Sequence, residues 1–170
     1  FQYRILFSYQ CRSLEQTLPI GEIMLTCIYV RNKNRKEFIN ACINIFMRKL
    51  KLQSSRWNLI VLSTKNLKKE QNSAGMVYQG EENTLVMELD SSLDGDGLID
   101  TISHEMIHVK QIATGLLRET KGKTYWRGKL VDRKRVKYWD QPWEKNAWRN
   151  QAILANSIYS LVPIKRKNRK

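Results

Sequence analysis

Both histidines of the chain fall in one short stretch, Ser103-His104-Glu105-Met106-Ile107-His108, four residues apart and with a carboxylate directly after the first. On a helix, side chains four apart stack on one face. The pattern H-E-x-x-H therefore lets two imidazoles grip one metal ion while Glu105 points toward its open coordination position. The chemistry such a group serves is hydrolytic: a zinc ion holds a water, and a base stands beside it.

A hydrolytic zinc site takes three protein ligands and one exchangeable water. The cysteines, Cys11, Cys27 and Cys42, are widely spaced in largely apolar surroundings and poorly placed to supply the third. The carboxylates that follow the motif are Glu119, Asp132, Asp140 and Glu144. Glu119 comes too soon after the motif helix to fold back easily, and Asp132 belongs to an expected turn tip. Glu144 sits in the first turn of a final helix that can pack across the motif helix, with small Ala147 one turn on to allow close approach. It is the preferred third ligand, and Asp140 is the second choice.

These residues need a scaffold, and hydrophobic periodicity outlines one. Ile23–Val30 is an apolar, β-branched run of strand length, and a helix is expected over about 36–52 from the recurrence of Phe38, Cys42, Ile45 and Leu52. Trp57–Leu62 reads as a buried strand and Lys65–Ser73 as a polar connection. Gly75–Gln79 and Thr84–Leu89 read as two strands of a hairpin about Gly80-Glu81-Glu82-Asn83. The acidic loop Asp90–Gly97 lacks the D-x-[DN]-x-[DN]-G spacing of a calcium site and is read as the entry to the motif helix. That helix is expected over about Leu98–Thr114, with Gly115 as its left-handed stop. Ile99, Ile102, Met106, Val109 and Ala113 would face the sheet, and His104, His108 and Gln111 a cleft. From Leu116 to Gln141 the residues are basic and aromatic. Tyr125–Val131 and Arg135–Trp139 are expected to form a hairpin turning at Asp132-Arg133-Lys134. Pro142 opens the last helix with Asp140 as its cap, and Pro163 ends it.

The chain resembles the gluzincin metallopeptidases, in which H-E-x-x-H gives two ligands and a Glu on a later helix the third. More narrowly it is similar to the minigluzincins, whose later helix carries E-x-x-A, matched by Glu144-Lys145-Asn146-Ala147 over a resemblance covering about residues 36–160. It departs from the SprT-type proteases, which take a third histidine after the motif, because no such histidine exists here. The resemblance implies an α+β, zincin-like fold: a small mixed sheet with an edge hairpin, a backing helix, an active-site helix and a C-terminal ligand helix. It implies one catalytic Zn2+ on His104, His108 and Glu144, with Glu105 as base and then acid in peptide-bond hydrolysis. The strand of Gly75, Met76 and Val77 would pair with an extended substrate. Tyr138 or Tyr125 would stabilise the oxyanion, and Gln111 would line the cleft or orient a ligand.

With 170 residues, 42% of them apolar, the sequence suits one domain comprising an N-terminal extension over 1–35, the metallopeptidase core and a basic tail over 163–170. Its net charge of +14 is unevenly spread: residues 1–100 carry 13 Lys+Arg against 11 Asp+Glu, and residues 101–170 carry 17 against 5. The segment 116–141 and the tail 165–170 could therefore meet nucleic acid or another anionic partner, or residues 116–141 could wall a substrate cleft. A second class of function follows, a binding module for such partners on a zincin scaffold with little or no proteolysis. The odd cysteine number suggests no disulfide framework and favours a reducing, intracellular setting; no run is long enough for a membrane span.

Overall fold

The structure is a computed structural model that describes residues 26–161. The expectations for the first 25 residues, for Pro163 and for the tail lie outside these residues, as does the start of the first strand.

The first described elements are strand β1 (Thr26–Tyr29), helix α1 (Lys33–Leu50), strand β2 (Asn58–Thr64) and the short helix α2 (Leu67–Gln71). Strands β3 (Gly75–Gln79) and β4 (Thr84–Asp90) lead to helix α3 (Gly95–Ala113), which carries the motif. Strands β5 (Leu117–Thr120), β6 (Lys123–Trp126) and β7 (Lys129–Val131) follow, then a 3-10 turn over Tyr138–Asp140 and helix α4 (Pro142–Tyr159). The architecture is α+β, with the main sheet ordered β1-β2-β4-β3 and a second, small sheet ordered β5-β6-β7.

In the main sheet β1, β2 and β4 are parallel, and β3 runs antiparallel to β4 at the edge. Alternate residues Leu59 and Val61 of β2 and Leu85, Met87 and Leu89 of β4 enter one core with Ile39, Ile43 and Phe46 of α1 and Ile99, Ile102 and Met106 of α3. Ala147, Leu154 and Ile158 of α4 join the same cluster. The motif helix thus lies in the core along one face and keeps its other face for the site.

Helix α1 starts earlier than the sequence periodicity indicates, because the Asn32 side chain accepts from the Arg35 N–H at 2.9 Å and caps it. Residues 33–35 therefore belong to the helix. It ends with Lys51 in the left-handed region, the Lys51 N–H bonding to Arg48 and the Leu52 N–H to Met47, which buries Leu52 just beyond the last turn. The expected connection at Lys65–Ser73 contains α2. The acidic loop before α3 is structural: Asp90 is buried and accepts from the Lys68 N–H at 2.7 Å and the Ser92 N–H at 2.8 Å. Arg35 clamps the same loop through the carbonyls of Asp90 and Leu93.

Residues 116–141 do not form the expected hairpin. They form three short strands joined at Lys121-Gly122 and Arg127-Gly128, where all four residues have positive φ. Arg135–Trp139 is not a strand; its end curls into the 3-10 turn. Asp140 is not the cap of α4 either: Gln141 holds that position without a side-chain capping bond, and Asp140 pairs with Lys145 at 2.9 Å.

Candidate metal centre

Helices α3 and α4 run antiparallel, fixed at one end by Gln111 bonding to Trp143 and Asn146 and at the other by the Tyr159 hydroxyl donating to Asp100 at 2.9 Å. Fully buried Ala147 leaves room for the approach. This pairing brings Glu144 over the motif. The His104 and His108 Nε2 atoms lie 3.1 Å apart, and Glu144 Oε2 lies 3.4 Å from the first and 3.5 Å from the second. All three residues are buried.

The hydrogen bonds behind the imidazoles decide which nitrogens are available. Gln111 Nε2 donates to the Trp143 carbonyl at 3.0 Å, so its Oε1 must be the atom facing His108 Nδ1 at 2.9 Å. That oxygen only accepts, hence His108 carries its proton on Nδ1 and turns a lone pair outward on Nε2. Gln151 Oε1 holds His104 Nδ1 in the same way at 3.1 Å. Two nitrogen lone pairs and a carboxylate oxygen therefore converge, and Glu144 Oε2 has no hydrogen-bond donor close enough to satisfy it. Such a set repels itself unless a cation joins it. Its spacing also suits one: in a tetrahedral site with bonds of about 2.0–2.1 Å, ligand atoms lie about 3.3–3.4 Å apart. His104, His108 and Glu144 could hold a metal ion.

The electrostatics follow from burial and these neighbours. Burial pushes the Glu105 carboxyl upward, partly opposed by His108 and His104. Burial opposes the His108 cation, but the neighbouring carboxylates of Glu144 and Glu105 outweigh it and raise its pKa. Burial raises Glu144 as well; the adjacent imidazoles of His104 and His108, 3.4 and 3.5 Å away, outweigh it and bring the carboxylate down to about 2. The Tyr138 phenol is raised by burial and by the nearby carboxylate of Glu144.

Of the other residues singled out from the sequence, Glu105 lies against β3: a Cβ on Gly75 would meet Glu105 Cγ at 3.0 Å and Thr101 Cγ2 at 2.6 Å. Only a glycine lets the strand come this near. The pairs Ala74 with Asp90 and Gly80 with Thr84 are hydrogen-bonded, so ladder alternation turns the main-chain groups of Gly75, Val77 and Gln79 away from β4. Met76 is different, since its main chain faces β4. The Ser73 hydroxyl donates to the Gly75 carbonyl. Gln111, expected either to line the cleft or to orient a ligand, is fully buried behind His108 with its amide engaged. Tyr125 stands on the second sheet, with the Arg118 guanidinium 5.4 Å from its ring centre, and not at the centre. Glu119 pairs with Arg133 and Asp132 with Arg135, so neither approaches the histidines.

Two residues at the centre went unnoticed in the sequence. Gln151 follows Glu144 by seven positions, which places it on the same helix face and was a legible signal. Trp148, four after Glu144, sets its ring 4.7 Å from that of His104 at a tilt of 54°, and Trp139 lies 5.6 Å beyond it. No family model, curated protein or solved structure matches the chain. What the fold and site define is thus an α+β protein with a buried two-histidine, one-carboxylate cluster.

Proposed function

We propose that the chain is a zinc-dependent peptidase with a zincin-like fold. The observation that carries this reading is the convergence of His104 Nε2, His108 Nε2 and Glu144 Oε2 beside a buried carboxylate, Glu105, that abuts an open strand edge. When bound to those three atoms, zinc supplies Lewis acidity that polarises a peptide carbonyl and brings the pKa of water toward about 7.

The chain's own groups do the rest. The substrate backbone adds to the edge of β3, bonding to the outward main-chain groups of Gly75 and Val77. Glu105 takes the proton of the attacking water as its oxygen bonds to the carbonyl carbon. It then gives that proton to the amide nitrogen as the C–N bond breaks, leaving a carboxylic acid and an amine. Tyr138, half-exposed and near Glu144, is the proposed donor to the developing oxyanion. The test is Glu105→Gln, which should retain zinc yet cut a mixed peptide library at least about a thousandfold more slowly than the parent. Equal rates would overturn the reading.

A second reading is favoured by the exposed sheet β5-β6-β7, where acidic residues pair with Arg133 and Arg135 while Lys121, Lys123, Arg127 and Lys129 have no acidic partner among the described residues. In that case polyanion binding is the function, steeply dependent on salt and identical in Glu105→Gln. No helix among the described residues is long and apolar enough to cross a membrane.

A further inference from the structure

Strand β3 and helix α3 both continue past the point where Gly75 packs on Glu105. Gln79 lies four residues beyond Gly75, about 14 Å along the strand. Ile112 follows His108 by four residues and Glu105 by seven, so it continues the same helix face. Between them opens a groove of about 460 Å³, walled by Arg56 and Trp57 from the α1–β2 connection, Gln79, Ile112, Gly115 and Arg118 of β5.

Among the described residues no carboxylate lines this groove. Arg56 and Arg118 are exposed, and neither has an acidic partner among the described residues. Arg118 is held by its 5.4 Å approach to the Tyr125 ring, which orients the guanidinium without neutralising it. Half-buried Trp57 adds an apolar wall for the methylene groups of a side chain.

We propose that this groove is a subsite for an acidic side chain of the substrate, on one side of the cleaved bond and about four residues from it. The inference rests on the peptidase reading: a strand laid along the β3 edge from Glu105 reaches the two arginines after four residues, and a Glu or Asp there forms charge-assisted, forked hydrogen bonds.

The test uses the zinc-loaded protein and a neutral peptide cut at one bond, in which a single Glu is walked from four residues before that bond to four after. The parent should show kcat/KM raised about fivefold with Glu at one place, three to five residues away on a single side. In Arg56→Ala/Arg118→Ala the ratio of acidic to neutral peptide should fall to about one, and Arg118→Glu should prefer Lys at that place. Circular dichroism checks that these surface variants fold. Cleavage with no positional preference, or a preference that survives the double substitution, overturns the subsite and leaves the peptidase reading intact. Absence of cleavage of every peptide by the parent overturns both.

Discussion

Replacing Gln111 by Leu separates what holds the fold from what aims the metal ligand. Leucine keeps nearly the same volume at this fully buried position but removes three hydrogen bonds, to His108 Nδ1 at 2.9 Å and to the Trp143 carbonyl and Asn146 Oδ1 at 3.0 Å. The His108 N–H is left buried without a partner, at about 1–3 kcal/mol, the Trp143 carbonyl keeps only its helical bond, the Asn146 side chain loses one donor, and the added apolar burial offsets part of the loss. The net cost is about 2–3 kcal/mol, a fall in Tm of roughly 5–10 °C for a chain of this size, measured with chelator present so that metal binding does not contribute. Loss of the bond that fixes the imidazole should also weaken zinc about 10–100-fold in a competition titration. Gln151→Leu is the control: half-buried and bonded to His104 alone, it should cost about 1 kcal/mol or less while weakening zinc by the same order. If Gln151→Leu and Gln111→Leu both bind zinc within threefold of the parent, the glutamines do not aim the imidazoles, and the tautomer argument fails.

Two further predictions rest on the scaffold. Asp90 is held below the usual carboxylate range by the Lys68 N–H, the Ser92 hydroxyl and the Ser92 N–H. Its contribution is therefore complete above the unfolded value of about 3.9 and lost as pH falls through the lower folded value; Asp90→Asn should destabilise by about 1–2 kcal/mol at pH 7, and urea midpoints should converge with the parent's below that range. Gly75→Ala places a methyl 2.6 Å from Thr101 Cγ2 and near Glu105, so it should cost about 1–3 kcal/mol in urea unfolding. Adding Thr101→Ser, which removes that Cγ2, should recover part of the loss; no recovery would place the strain elsewhere.

The motif was legible because a helix needs only local periodicity, and Ile99, Ile102 and Met106 mark which face is buried. The approach of Glu144 was legible for a different reason: few carboxylates follow the motif, and Ala147 one turn on marks where two helices can touch. The small sheet was hidden by its turns. Lys121-Gly122 and Arg127-Gly128 adopt positive φ at both positions without the Asn-Gly or Asp-Gly pairs that advertise such hairpins, and the strands are three or four residues long. Alternation of basic and aromatic residues then suggested longer strands farther on. For Gln111 both roles, lining the cleft or orienting a ligand, stay open in the sequence because the stripe it shares with His108 gives direction along the helix but not what covers it. Here Trp143 and Asn146 of α4 cover it, a contact 32 and 35 residues away in sequence.

The central claim is one cation held by two imidazoles and a carboxylate. The most direct measurement is anomalous diffraction at the zinc edge from crystals grown with zinc and without chelator. A single strong peak about 2 Å from His104 Nε2, His108 Nε2 and Glu144 Oε2 is the predicted result. Ordered side chains with no peak among those three atoms would contradict it.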